Sequence, residues 1–274
     1  MDEHSAHKGQ NSDILTGMVP ASRSDVAIEF RDVSYISPTG QQVLSGLNLQ
    51  VSRGETLVLL GRSGSGKTTT LKLINRLLMP SSGEVWVNGN ADADVIRLRR
   101  GMGYVIQDGG LFPHFTVERN IALVPALEGW PVERIRERVL ELLRTVGLEE
   151  QLASRYPRQL SGGQRQRVGV ARALAADPPI LLMDDPFGAL DPLTRDELQR
   201  EFLSLQKKIS KTVVFVTHDL REAMRVGSRI ALVENGKIET VLAPDEFMNS
   251  SQPLAAAYGR AFDVGSSAPD RHAS

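Results

Sequence analysis

The chain has 274 residues, 41% of them hydrophobic, which is enough for a substantial core in one large domain or two modest ones and excludes disorder throughout. Its 32 Lys and Arg offset 33 Asp and Glu for a formal charge of -1, so bulk charge draws it neither to nucleic acid nor to an anionic membrane, a local basic patch aside. With no cysteine there is no disulfide, thiolate metal site or cysteine nucleophile, and 5% aromatic residues are too few to suggest a base-stacking surface.

Residues 1–24 are polar and aperiodic and read as a loose tail. His4 and His7 have no further ligand nearby and read as solvated. The segment Met1–Lys8 lacks the apolar stretch of a signal peptide, and no run in the chain reaches the roughly 18 apolar residues of a membrane span, so a cytosolic chain is expected.

From residue 25 to 250, short Val, Ile and Leu runs alternate with helical patterns, as in an α/β domain around a mainly parallel core sheet. The first strands, Val26–Val33 and Leu47–Val51, are bounded by turn signals at Pro38-Thr39-Gly40 and Ser52-Arg53-Gly54 and read as an antiparallel β layer added to that sheet. Further strands are expected at Thr56–Leu60, Glu84–Val87, Tyr104–Ile106, Ile180–Met183, Thr212–Val216 and Ile230–Val233, with Lys237–Leu242 closing a hairpin through Glu234-Asn235-Gly236. Residues 107–175 are poor in strands and read as a helical insertion. Within it Val132, Ile135, Val139, Leu142, Leu143 and Val146 recur at steps of three and four, the mark of a surface helix. Residues 251–274 read as a second loose tail.

Three motifs carry chemistry. Gly61-Arg62-Ser63-Gly64-Ser65-Gly66-Lys67-Thr68 fits G-x-x-x-x-G-K-[ST] between the strand Thr56–Leu60 and a helical run from Thr69 to Leu78. Its glycines turn backbone N–H groups toward phosphate oxygens, the helix start adds its positive end, Lys67 reaches the β- and γ-phosphates, and Thr68 ligates Mg²⁺. Ile180–Asp185 is a buried strand ending in two carboxylates, the chemistry that holds Mg²⁺ opposite such a loop, with Asp184 as the ligand. Leu160-Ser161-Gly162-Gly163-Gln164 opens another helix and reads as a second anion site, one whose nucleotide is held mainly by another molecule. Its bland alternative is a helix capped by Ser161.

In this order the elements resemble the nucleotide-binding subunit of an ATP-binding cassette (ABC) transporter, a P-loop NTPase fold, over roughly residues 26 to 250. The resemblance places the phosphate loop at Gly61–Thr69, the glutamine loop at Gln107, the family signature at Leu160–Gln164, the Walker B strand at Ile180–Asp185 and the loop after it at Ala189-Leu190-Asp191. His218 is placed as the switch histidine. It implies ATP and Mg²⁺ as cofactors, Thr68, Gln107 and Asp184 toward the metal, and Asp185, His218 and Gln107 in catalysis. It further implies a head-to-tail homodimer in which Ser161, Gly163 and Gln164 of one copy complete the ATP site of the other. Transmembrane permease subunits would be direct partners and a substrate-binding protein an indirect one, at the cytoplasmic face of the membrane and without nucleic acid. Gln107 and His218 also have an ordinary reading as loop residues.

Two departures stand out. Asp185 occupies the position where the family has Glu to polarise water, and a carboxylate roughly 1.5 Å shorter implies slow hydrolysis. The aromatic residue expected against adenine falls on Ser37, with Tyr35 two residues earlier on the same strand face, either stacking or packed.

Leu73–Leu78, Tyr104–Gln107, Gly110–Val117, Asn120–Pro125 with Trp130, and Asp185–Arg195 are most similar to importers of quaternary-amine osmoprotectants: glycine betaine, carnitine or choline. Only about 25 residues follow Asn249, so an added C-terminal sensing module is not expected. Leu111-Phe112-Pro113-His114-Phe115 falls where the resemblance places docking of a permease helix, although Phe112 and Phe115 could simply pack the insertion. The competing readings are a soluble ABC protein acting without a permease, and a regulatory module that binds ATP but hydrolyses it slowly.

Overall fold

The computed structural model describes residues 25–266 apart from 108, 189, 209 and 210, with the side chains of 207–208 and 262–266 also outside the description. His4, His7 and Ala189 therefore lie outside it.

Strands β1 (Val26–Ile36), β2 (Gln42–Ser52) and β4 (Ser82–Val87) form an antiparallel sheet in the order β2-β1-β4. The main sheet runs β5 (Met102–Val105), β6 (Ile180–Asp184), β7 (Thr212–Thr217), β3 (Thr56–Leu60), β8 (Arg229–Glu234), β9 (Lys237–Leu242). It is parallel except for β9, which returns beside β8. All five residues of β3 and of β6 and all six of β7 are buried, as a parallel strand covered on both faces requires.

Because side chains alternate along a strand, these central strands feed two separate interiors. Val58, Leu60, Leu181, Met183, Val213, Phe215, Ile230 and Leu232 face the helices, with Phe187, Phe202 and Phe215 packed edge-on or tilted at centroid separations of 5.7 to 6.3 Å. Leu57, Leu59, Ile180, Leu182, Val214, Val216, Ala231 and Val233 face the antiparallel sheet and Leu71, Leu73 and Ile74 of helix α1 (Lys67–Ile74). That helix stops earlier than the apolar run to Leu78 suggests, because Arg76 adopts a left-handed φ of 55°.

Helix α2 (Val95–Arg100) precedes β5. Between β5 and β6 lie α3 (Val117–Leu127), α4 (Val132–Thr145), two short 3₁₀ turns and α5 (Gly162–Leu174). The apolar stripe of α4 buries Val139, Leu142 and Leu143, while Val132 at its start is exposed. Then come α6 (Pro192–Lys208), α7 (Leu220–Val226), α8 (Pro244–Met248) and α9 (Pro253–Ser266).

The last of these corrects the expectation of a loose tail from 251. Residues 253–266 are helical, with Ala255 buried and Leu254 and Tyr258 packed on the helix-side interior. Pro253 suits a first helical turn, but three small or half-buried contacts in an Ala-rich segment leave too faint a periodicity to read.

Candidate nucleotide site

The register of the parallel strands assembles the site. Leu60 pairs with Thr217, Asp184 with Val216, and Met183 with Val105, so β3, β6, β7 and β5 end at one level. Gly61, Asp185 and His218 directly after their strands, and Gln107 two residues past β5, leave the same carboxyl edge, where open α/β sheets hold their ligands.

In the phosphate loop, Gly64 and Gly66 take φ of 80° and 107°, conformations open to glycine at little cost. A Cβ on Gly61 would stand 2.2 Å from the Val233 carbonyl oxygen, so that position is glycine for space. Lys67 is 7% exposed, and its Nζ donates to the carbonyls of Gly61 at 2.8 Å and Arg62 at 2.6 Å. The ammonium is thus held inside the loop at the mouth of α1. Burial lowers its pKa, opposed by the charges of Asp185, Asp184 and Glu234. Among the described residues no side chain caps α1, a helix start at which backbone N–H groups can meet an anion.

Thr68 Oγ1 donates to Asp184 Oδ1 at 2.8 Å, joining the phosphate loop to the end of β6. Burial raises the pKa of Asp184, an effect opposed by the Thr68 hydrogen bond and the charge of Lys72. Tyr104 of β5 also reaches this carboxylate, and its phenol is pushed upward by burial and by the Asp184 charge. The paired hydroxyl and carboxylate are hard oxygen donors beside a buried lysine, a set that fits Mg²⁺.

Asp185 is at a left-handed φ of 45°, and its N–H donates to Val216 O at 3.0 Å. The carboxylate lies over Gly188, where a Cβ would come within 2.4 Å of Oδ2. His218 Nδ1 is 3.4 Å from the same Oδ2, while Oδ1 is buried without a protein hydrogen-bond partner among the described residues. Glu222, 2% exposed, steadies this corner by accepting from Thr217 Oγ1 at 2.6 Å and Gln199 Nε2 at 3.0 Å. Burial raises the pKa of Glu222.

Gln107 is exposed in the turn after β5. The backbone just beyond it is fastened to α5: Arg172 donates to Gly110 O at 2.7 Å and Gly109 O at 3.0 Å, and Gly169 leaves room for Gly109. The next segment exposes Phe112 at 41%, in contact with His114 and Phe115 at 6.1 and 5.3 Å between centroids. Leu111, by contrast, packs inward. Buried Asn120 shapes this loop by accepting from Phe112 N at 2.9 Å and donating to Phe112 O, Phe115 O and Thr116 O.

Ser161 does cap α5, accepting from Gln164 N at 3.1 Å while Gln164 Oε1 accepts from Ser161 N at 2.9 Å. Gly163 abuts Thr194 of α6. The described contacts of this turn are with the start of α6, not with the phosphate loop. Tyr35 is half-buried and packs on the interior under the antiparallel sheet, while Ser37 Oγ is engaged in its own turn with Thr39 and Gln41. Asn120, Tyr104, Arg172 and Glu222 carry no role that the sequence alone reveals: Tyr104 and Arg172 act through partners far along the chain, and Asn120 and Glu222 through nearer groups that only the fold turns toward them.

Residues 44–188 match the family model described as ABC transporter. The chain is 49% identical over 225 residues to the glycine betaine/carnitine/choline transport ATP-binding protein OpuCA of Bacillus subtilis (strain 168), covering 81% of this chain and 59% of that one. It is 52% identical over 213 residues to the glycine betaine uptake system ATP-binding protein YehX of Escherichia coli (strain K12), covering 77% and 69%. It thus spans about three fifths of the length of the former relative. The fold superposes with a TM-score of 0.73 and 36% identity on a dimeric ATP-binding cassette in a post-hydrolysis state bound to ADP and Pi, over 79% of this chain and 98% of the other. A phosphate loop bonded to the Asp184 strand end, a capped Ser161 turn and a family match across both together place the chain in the ABC transporter family.

Proposed function

We propose that this chain is the ATP-hydrolysing subunit of an importer for a small quaternary-amine osmoprotectant such as glycine betaine, carnitine or choline. The observation that carries the nucleotide chemistry is the Thr68–Asp184 hydrogen bond beside buried Lys67. Thr68, Asp184 and Gln107 would hold Mg²⁺, which when bound neutralises charge on the β- and γ-phosphate oxygens. Lys67 exchanges its loop carbonyls for phosphate oxygens, a charge-assisted contact in a buried setting. Asp185 accepts a hydrogen bond from the attacking water through a carboxylate that His218 flanks at 3.4 Å.

Ser161, Gly163 and Gln164, turned to solvent or to α6, complete the ATP site of a second copy set head to tail. The exposed ring of Phe112 supports docking of a permease helix on the Leu111–Phe115 loop at the cytoplasmic face of the membrane, with a substrate-binding protein acting on the permease from outside. The cargo reading rests on the relatives' names and similarity.

The test is reconstitution of the chain with a candidate osmoprotectant permease in proteoliposomes. Uptake of labelled glycine betaine, carnitine or choline should require MgATP and stop with Phe112→Asp, while the free subunit keeps its basal hydrolysis. ATP-dependent uptake of an unrelated solute instead would sink the cargo reading.

A second reading, a slow regulatory ATP binder, is favoured by the short carboxylate of Asp185. It predicts nucleotide binding with hydrolysis that no permease stimulates.

A further inference from the structure

The chain has two Asn-Gly hairpin turns of the same backbone type. In the first, Asn88 and Gly89 have φ of 50° and 78°; in the second, Asn235 and Gly236 have φ of 48° and 74°. Their surroundings differ. A Cβ on Gly89 would meet nothing within 4 Å. A Cβ on Gly236 would lie 2.2 Å from Val43 O and 3.1 Å from Leu44 Cα.

The second turn is wedged between the phosphate loop and β2. Gly236 N–H donates to Ser65 O of the loop at 3.1 Å, and Gly236 O accepts from Ser45 N–H at 3.0 Å. Gly66, the residue before Lys67, sits against Leu44, Val43 and Gly236 Cα at 2.6, 3.3 and 3.7 Å from its missing Cβ. At the loop's other end, Gly61 abuts Val233 of β8. The β8–β9 hairpin therefore braces the phosphate loop at both ends. It also ties the loop to the antiparallel sheet.

We propose that Gly236 is a positioning residue of the nucleotide site: it holds the Ser65 carbonyl, and with it the direction of the loop's N–H groups, from outside the loop's own sequence. Any side chain at 236 must displace either Val43 or the turn whose N–H holds Ser65 O. A loop whose N–H groups are mis-aimed binds phosphate less well even though every loop residue is intact. The inference rests on the proposed ATP-binding reading.

The experiment compares Gly236→Ala with Gly89→Ala by calorimetric MgATP titration, well below each variant's melting temperature. Both substitutions place alanine at positive φ, so both cost stability. Gly236→Ala should weaken MgATP affinity by about tenfold or more; Gly89→Ala should stay within about twofold of the parent. Unchanged affinity in Gly236→Ala, or equal loss in both, overturns the proposal. Should Gly236→Ala fail to fold, amide exchange in the parent decides: MgATP should slow exchange at Gly236 N–H and not at Asn90 N–H, which donates to Val87 O within the other turn. No slowing at Gly236 overturns it. A parent that does not bind MgATP fails the ATP reading itself, a separate result.

Discussion

Two helices of this protein begin at glycine-rich turns, and they begin differently. Helix α1 starts at Gly66 in a left-handed conformation with no side-chain cap, Lys67 buried under it and Thr68 bonded to Asp184. Helix α5 starts at Ser161 with a reciprocal capping box, on an exposed turn that leans on α6. The first leaves its N–H groups open and surrounds them with this chain's own charges. The second satisfies two of its own donors and carries no lysine, so it suits a secondary contact to a nucleotide already held elsewhere. A helix start becomes a primary phosphate site through what stands around it, since the dipole is common to both.

The largest expected effect breaks the two apart. Lys67→Ala should weaken MgATP binding to the isolated subunit by roughly a thousandfold, as phosphate loses a buried cation. Ser161→Ala should leave that affinity within about twofold and cost roughly 1 kcal/mol of stability as a lost cap. Binding isotherms with chemical denaturation measure both, and equal losses of affinity would show that α5 is a primary site.

Next in size is the water-facing corner next to α1. Restoring the missing methylene with Asp185→Glu should raise kcat by about tenfold to a hundredfold, or about 1.4 to 2.7 kcal/mol, with ATP affinity little changed. Asp185→Asn should lower kcat further. If Glu gives no gain while Asn removes activity, the corner formed by Gly188 and His218 has adapted to the shorter acid.

The smallest effect is on stability. Burial raises Asp184 above its unfolded pKa, so its protonated form favours the fold and that contribution is lost as pH rises through the folded pKa. Without Mg²⁺, Asp184→Asn should therefore melt higher than the parent at pH 7, with the gap closing as pH falls toward the carboxylate range. A parent that melts higher at pH 7 would mean that the bonds from Thr68 and Tyr104 outweigh burial.

What could be read from the residues alone follows the same division. Strands β3, β6 and β7 are apolar along nearly their whole length because both faces are covered, and their boundaries are legible to within a residue. The phosphate loop is legible because its chemistry is local. Glu222 is invisible in that way: its meaning comes from Thr217 and Gln199, and a Glu in a helix ordinarily points to solvent. Asn120 likewise acquires its role only when the Phe112–Thr116 backbone folds around it. Helix α9 is faint in the sequence for a different reason, since its packed face is made of Leu254, Ala255 and Tyr258 alone among the described side chains.

Neighbouring residues of β3 belong to different interiors, Leu57 and Leu59 to one, Val58 and Leu60 to the other. A strand gripped by close-packed side chains on both faces, and hydrogen-bonded to β7 and β8 on both edges, has no direction in which to slide. The base of the phosphate loop is accordingly the fixed bed of this machine. Ser161 and Gly162 at the start of α5 stand outside that bed, while Val168, Ala171 and Leu174 farther along root the helix in the same interior as Val58 and Leu60.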